Sequence, residues 1–143
     1  MHPPGNELTY RQRAVEGESS VGLVVLLYDR LIADLQRGAV AMRRQDVETR
    51  CAQLKHALLI LQQLEGSLDR EAGGEAAGNL AAFYAHARGQ VMEAQLNAAP
   101  ELLEKLTRHI FDVRAAWQQV DPAKPQSPQP PKPSVKERLS FSA

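Results

Sequence analysis

The chain has 143 residues, which is about the length of one domain and enough for a single modest core. Its 17 basic and 17 acidic residues give a formal net charge of zero, and only 5% of its residues are aromatic. Nucleic-acid binders usually carry a basic surplus for the phosphates or aromatic side chains that stack on the bases, so this composition argues against a nucleic-acid partner.

Residues 1–18 are predicted to be a separate N-terminal segment that covers part of the domain behind it. Leu8, Tyr10 and Val15 are the apolar side chains that this segment can place on the domain. Residues 1–6 contain no basic region followed by an apolar stretch, so the segment does not resemble a signal peptide. We therefore expect a cytoplasmic protein.

Residues 19–120 predict a domain of helices, because strand-like alternation is absent and the first proline of this region is Pro100. The first helix begins after Ser19 and Ser20, either of which can cap a helix by accepting a backbone N–H. The apolar residues of its predicted buried face recur at intervals of three, four and seven: Val24, Tyr28, Leu31, Leu35 and Met42. The second helix covers about residues 46–70, and its predicted buried face contains Val47, Cys51, Leu54, Leu58, Leu61 and Leu68.

Glycine and proline mark the remaining helix boundaries. Gly73 and Gly74 are predicted to end the second helix, because glycine tolerates the left-handed conformation that often follows a helix. Pro100 suits the first turn of the fourth helix, where a missing N–H costs nothing. The predicted buried face of the third helix contains Ala77, Leu80, Tyr84, Ala87, Val91 and Ala94, and that of the fourth contains Leu103, Leu106, Ile110, Val113, Trp117 and Val120. Four helices with short connections favour an all-α, antiparallel four-helix bundle.

The end of the chain differs from this domain in composition. Six of the nine prolines lie between Asp121 and Ser134, where they exclude helix and favour extended, solvated chain. We therefore predict that residues 121–143 form a disordered Pro-rich tail. A docking motif around Leu139 and Phe141 stays open as an alternative for its last residues.

Several apolar residues are not used by the four predicted buried faces, whereas a bundle helix needs only one such face. They are Leu23, Val25 and Leu26 in the first helix, Ile60 and Leu64 in the second, Met92 and Leu96 in the third, and Phe111 in the fourth. Either a wide core and the N-terminal segment cover them, or they form a groove for an amphipathic helix of a partner. The predicted partner-binding set is Tyr10, Val15, Leu23, Leu26, Ile60, Leu64 and Phe111.

The sequence predicts no enzyme, no metal site and no cofactor. The histidines His56, His86 and His109 each lack the glutamate three positions earlier that di-metal bundles use. Cys51 is the only cysteine, which excludes an internal disulfide and favours a reducing compartment. The longest apolar runs, residues 23–28 and 80–85, are too short to span a bilayer, so we expect no membrane contact. A non-enzymatic helical adaptor, or a phosphotransfer-type signalling bundle using His86, stays open as an alternative function.

The order of five short motifs resembles the flagellar secretion chaperones (FliS). The motifs are Tyr10-x4-Val15-x3-Ser19, Leu23-x3-Leu27-Tyr28-Asp29, Leu68-Asp69, Asn79-Leu80-x2-Phe83-Tyr84 and Arg114-Ala-Ala-Trp117. Two positions depart from the family pattern, which usually has a proline at the position of Ser20 and a leucine at the position of Phe83. The Pro-rich tail is not part of the pattern.

This resemblance implies a specific function. Chaperones of this family are antiparallel helical bundles that bind the C-terminal segment of flagellin, prevent its premature polymerisation and present it to the flagellar export apparatus. The client gains helix on the apolar surface of the chaperone, so folding and binding are coupled. The resemblance also implies that the segment around Tyr10 occupies part of the client surface when the client is absent.

Overall fold

Four helices make up residues 20–120, which are the residues that the computed structural model describes. They are α1 (Ser20–Arg43), α2 (Val47–Gly66), α3 (Arg70–Asn97) and α4 (Pro100–Gln118). Each helix packs against the next one in the chain, and α4 also packs against α1, so the four surround one core. This confirms the predicted all-α bundle of four packed helices. The predicted covering segment, with Tyr10 and Val15, and the predicted tail lie outside the described residues.

Ion pairs between the helices show that neighbours run antiparallel. Arg43, at the end of α1, pairs with Glu104 near the start of α4, at 2.8 Å between Nη2 and Oε1. Asp29, near the start of α1, pairs with Arg114 near the end of α4. Cys51, near the start of α2, contacts Gln95, near the end of α3, so these two helices also run antiparallel. The short connections between the helices favour the same arrangement.

Local signals set where three of the helices begin. Asp46 caps α2 by accepting a hydrogen bond from the Thr49 backbone N–H at 3.1 Å. The Thr49 side chain, together with this backbone bond, holds the pKa of the Asp46 carboxyl below its usual value. Asp69 caps α3 by accepting from the backbone N–H groups of its first turn. Pro100 occupies the first turn of α4, as predicted.

The predicted end of the second helix is wrong. Helix α2 ends at Gly66, and α3 already begins at Arg70, because Asp69 provides an N-terminal cap one turn before the two glycines. Gly74 has φ 55° and ψ −131°, so it adopts the positive φ expected of it but within α3. The glycine pair therefore kinks the third helix instead of separating it from the second.

The core confirms the predicted buried faces of α1, α3 and α4. In α1, the fully or nearly buried members are Tyr28, Leu31, Leu35 and Met42, while Val24 is partly buried against them. All six residues predicted for α3 are buried, and so are the five predicted for α4 from Leu103 to Trp117. Val120 is partly buried. In these three helices, the residues that the three–four period assigns to the core are the ones that packing buries or partly buries.

The predicted orientation of α2 is wrong. Ile60 and Leu64, which the sequence places outside the core, have exposures of only 4% and 1%, whereas Val47 is 56% exposed and Cys51 is also exposed. At about 100° per residue, the true buried face is rotated by roughly 60° from the predicted one. Of the predicted face, Leu54 and Leu61 are buried and Leu58 and Leu68 are partly buried.

Contacts with α1 show which side of α2 is covered. Gly38 of α1 is buried, and a Cβ added to it would lie 2.7 Å from Cδ2 of Leu54. Ile60 follows His56 by about one turn, and the His56 ring contacts Asp34 of α1, so Ile60 lies on the side of α2 that faces α1. Packing against α1 therefore buries the side that periodicity alone assigned to the surface.

Candidate functional site

Residues from three of the sequence motifs meet inside the bundle. The hydroxyl oxygens of Tyr28 in α1 and Tyr84 in α3 lie 2.7 Å apart. Trp117 of α4 donates a hydrogen bond from Nε1 to Oη of Tyr28 at 3.2 Å. The two tyrosine rings pack edge to face, with their centroids 6.3 Å apart. One buried polar cluster thus joins three helices, and its polar atoms satisfy one another.

Burial keeps the two phenols of this cluster protonated. Burial raises the pKa of Tyr28 to about 12, although hydrogen bonds to Tyr84 and Trp117 act in the opposite direction. Burial also raises the pKa of Tyr84, and the neighbouring Tyr28 adds to that effect. Both phenols are therefore neutral near pH 7, where neither can serve as a general base.

An ion pair lies beside the cluster and belongs to the same motifs. Arg114 Nε contacts Asp29 Oδ1 at 2.6 Å, and Arg114 Nη2 contacts Asp29 Oδ2 at 3.4 Å, so the pair is bidentate. The motif residues Tyr28 and Asp29 therefore both bind the motif at the end of α4. These residues hold helices together, and the surface available to a partner must be sought elsewhere.

Residues 20–120 show no constellation for metal-dependent chemistry. No three histidine, cysteine, aspartate or glutamate side chains in this range converge to hold a metal ion. His86 of α3 is partly buried and electrostatically coupled to His109 of α4. Burial lowers the pKa of His109, Lys105 and His86 add to that effect, and Asp112 opposes it.

Among the described helices, none has a stretch of sufficient length and hydropathy to cross a membrane.

Exposed apolar side chains are the most distinctive feature of the surface. Eight large ones lie at least 42% exposed: Leu23, Leu26, Val40, Val47, Leu59, Met92, Leu96 and Phe111. Single exposed apolar residues are ordinary, but groups of them at helical spacing indicate surfaces that another chain covers. The bundle therefore carries exposed apolar side chains on all four of its helices.

The structure divides the predicted partner-binding set. Leu23, Leu26 and Phe111 are exposed, as that role requires. Ile60 and Leu64 are in the core, so their predicted place on the surface is wrong. Tyr10 and Val15 lie outside the described residues.

Exposed apolar side chains also lie where the start of α2 meets the end of α3, and the sequence predicted only some of them to be exposed. Gln95 Nε2 donates a hydrogen bond to Sγ of Cys51 at 3.5 Å, which brings the start of α2 next to the end of α3. Val47 lies one turn before Cys51, and Met92 and Leu96 flank Gln95; we call these three side chains the α2–α3 patch. Leu96 is 84% exposed. Met92 and Leu96 lie outside the predicted face of the third helix, whereas Val47 was predicted to be buried.

The chain is similar to known proteins over a range that includes the bundle and residues on both sides of it. Residues 4–124 match the family described as flagellar protein FliS. The chain is 27% identical to the flagellar secretion chaperone FliS of Vibrio cholerae over 122 residues, which covers 82% of this chain and 90% of that protein. It is 28% identical to the FliS of Salmonella typhimurium, covering 78% and 83% of the two chains, and 30% identical to that of Escherichia coli, covering 76% and 80%. Because the family match includes all four helices and most of the segment before them, this chain belongs to the FliS family of flagellar proteins.

Proposed function

We propose that the protein is a cytoplasmic flagellar secretion chaperone that binds the C-terminal segment of flagellin. In this function it prevents flagellin from polymerising prematurely and supports its secretion, with presentation to the export apparatus as a further step. The match to the FliS family over residues 4–124 carries the proposal, and the names of the curated relatives agree with it.

The exposed apolar surface supplies a physical basis for binding such a client. A disordered segment that folds on a surface loses chain entropy, and burial of apolar area must offset that loss. We assign the client surface to Leu23, Leu26, Phe111 and the α2–α3 patch, since these side chains are exposed on the bundle. Ile60 and Leu64 are buried in the core and are therefore not part of the client surface.

We propose a role for the segment before the bundle and none for the segment after it. Residues 1–18, with Tyr10 and Val15, cover part of the client surface when the client is absent, because they supply apolar side chains next to the start of α1. Residues 121–143 are a Pro-rich tail that lies outside the bundle domain of residues 19–120. Neither segment is needed for a catalytic step, since the proposed function has none.

The central test is a binding measurement with purified full-length chain and flagellin from the same genome. Isothermal titration should give a stoichiometry near one to one with intact flagellin and no binding to flagellin that lacks its C-terminal segment. An unrelated protein of similar size and charge is the negative control. Equal binding to intact and truncated flagellin would remove the proposed recognition of the C-terminal segment.

A further inference from the structure

The outward face of α1 carries a second regular pattern in addition to its core face. Six residues recur at intervals of three, four, three, four and three: Leu23, Leu26, Arg30, Ala33, Arg37 and Val40. Five of them are exposed and Ala33 is partly exposed, so the whole row points away from the core. Arg44, four residues after Val40, continues the row just beyond the helix. We call this row the α1 outer seam.

The pattern is that of a helix–helix contact. Apolar residues that recur every seven positions keep one stripe of a helix against a partner helix, whereas a solvated face needs no apolar period. Leu26, Ala33 and Val40 repeat at seven-residue spacing, and the seam extends for about 26 Å at 1.5 Å per residue. Within residues 20–120, the helices adjacent to α1 are α2 and α4, and α3 meets α1 on its core side through Tyr84 and Tyr28, so no described helix covers the seam.

The charges of the seam have one sign. Arg30 and Arg37 also repeat at seven-residue spacing, and neither makes an ion pair within residues 20–120. Both aspartates of α1 are already engaged, Asp29 with Arg114 and Asp34 with His56. The exposed faces of α2 and α4 instead mix both signs, as shown by Glu48 and Lys55 in α2 and by Glu101, Lys105, Arg108 and Asp112 in α4.

A shallow hollow lies at one end of the seam. Its lining comes from the end of α1 and the start of α2: Gln36, Arg37, Val40, Ala41, Arg44, Asp46 and Thr49. Asp46 is the acidic residue of this lining, and its carboxylate is occupied by the N-terminal cap of α2. The hollow can therefore receive an apolar side chain on Val40 and a carboxylate beside Arg37 and Arg44.

We propose that the α1 outer seam binds an amphipathic helix of a protein partner that carries carboxylates at seven-residue spacing. The apolar residues of that helix pack on Leu26, Ala33 and Val40, and its carboxylates pair with Arg30 and Arg37. Charge complementarity selects an acidic helix over a neutral or basic one. The inference goes beyond the proposed function, because it defines the chemistry of the partner without requiring that the partner is flagellin.

Two designed helical peptides test the proposal on the full-length chain. Each has three heptads with leucine at the core positions, and the flanking positions carry glutamate in one peptide and lysine in the other. Fluorescence anisotropy should show that the acidic peptide binds at least tenfold more tightly than the basic one, and that its binding weakens in roughly 0.5 M salt because the charges are screened. Equal affinities for the two peptides, or no binding of the acidic one, would overturn the proposal.

Charge-reversal variants locate the binding site. The double variant Arg30→Glu/Arg37→Glu should bind the acidic peptide at least tenfold more weakly. The matched control, Arg70→Glu/Arg108→Glu, makes the same change at exposed positions of α3 and α4 and should bind like the unaltered chain. Thermal unfolding checks that each variant is folded, and Leu26→Ser/Val40→Ser tests the apolar half of the seam independently. Equal weakening in the control and the seam variants would show that the peptide responds only to net charge, which contradicts the proposal.

A second copy of the chain is the competing occupant. Sedimentation of the full-length chain should show no self-association that depends on the seam. A dimer that the Arg30→Glu/Arg37→Glu variant dissociates would assign the seam to self-association and overturn the proposed partner.

Discussion

At the scale of single residues, two glycines show how differently the same residue type can act. Gly38 and Gly89 both lie inside helices, where glycine is about 1 kcal/mol less favourable than alanine. A Cβ on Gly38 would meet Leu54 at 2.7 Å, whereas a Cβ on Gly89 would meet no atom within 4 Å. The first glycine therefore permits close packing of α1 on α2, and the second has no packing role in the bundle.

We predict that Gly38→Ala and Gly89→Ala change stability in opposite directions. Gly89→Ala should raise the free energy of unfolding by about 0.5–1 kcal/mol through better helix propensity. Gly38→Ala should lower it by roughly 1–3 kcal/mol, because the added methyl group overlaps the buried Leu54 side chain, which has to shift within a packed core. Urea unfolding followed by circular dichroism measures both values. A stabilised Gly38→Ala variant would contradict the inferred close contact of α1 and α2.

The buried tyrosines predict a loss of stability in alkali. The pKa of Tyr28 is about 12 in the folded chain, against about 10 for an exposed tyrosine, so folding favours the protonated phenol. This contribution is fully present below pH 10 and is lost as the pH rises towards 12, since the unfolded chain releases its proton first. Tyr84 acts in the same direction. The midpoint of urea unfolding should therefore fall between pH 10 and 12.

The double variant Tyr28→Phe/Tyr84→Phe is the control for this alkaline transition. Without the two phenols, the midpoint should fall less steeply over the same pH range. Trp117 would then lose the acceptor of its Nε1 hydrogen bond, so the variant should also be less stable at pH 7, by roughly 1–3 kcal/mol. An unchanged slope in the double variant would show that other groups cause the alkaline loss.

At the scale of single helices, α2 shows that an apolar run does not define its own buried face. Its residues 57–61 are all apolar, and they extend around more than half of the helix circumference. The periodicity therefore allows several orientations of nearly equal apolar content. The tight packing of α2 on α1 selects the one that buries Ala57, Ile60 and Leu64 and exposes Leu59.

We predict that alanine substitutions in α2 follow this observed orientation. Ile60→Ala and Leu64→Ala should each destabilise the chain by about 2–5 kcal/mol, because they leave cavities in the core. Leu58→Ala should cost less, since Leu58 is only partly buried, and Leu59→Ala should change stability by less than about 0.5 kcal/mol. Thermal unfolding of the four variants gives the order. A larger loss of stability for Leu58→Ala than for Ile60→Ala would contradict the observed orientation of α2 and support the one that the sequence predicts.

At the scale of the whole molecule, a closed arrangement of four helices leaves apolar surface on different sides. Helices α1 and α3 are not adjacent within residues 20–120; they lie across the core from each other, where the Tyr28 and Tyr84 side chains meet. The α1 outer seam and the α2–α3 patch therefore face different directions. Leu23 and Leu26 belong to both the proposed client surface and the seam, whereas Arg30, Arg37 and Val40 belong to the seam alone. A client and a seam helix would therefore compete only at the start of α1.

We predict that the α2–α3 patch contributes to client affinity without contributing to stability. The double variant Met92→Ser/Leu96→Ser should bind the flagellin C-terminal segment roughly tenfold more weakly, which is about 1.4 kcal/mol. Its melting temperature should stay within a few degrees, because both side chains are exposed. Glu75→Ser/Glu93→Ser, which alters exposed residues of the same helix, should bind normally. Unchanged affinity of the patch variant would exclude the patch from the client surface.

Much of the bundle could be predicted from the sequence. Caps, prolines and a clear three–four period are local properties, which is why the number of helices and the buried faces of α1, α3 and α4 were correct. The motif residues Tyr28, Tyr84 and Trp117 were visible as a pattern, but their hydrogen bonds were not, because they join residues far apart in the chain. The candidate site was less predictable: Leu23, Leu26 and Phe111 are exposed as expected, while Ile60 and Leu64 are not.

The sequence by itself determined the family resemblance, the helical composition and the surplus of apolar residues. Only the tertiary structure decided which of those residues are covered, since burial depends on how closely neighbouring helices approach. Ile60 lies on the side of α2 that faces α1, and the packing of the helices buries it together with Leu64. Leu26 and Val40 remain exposed because no helix of residues 20–120 packs on the outward face of α1.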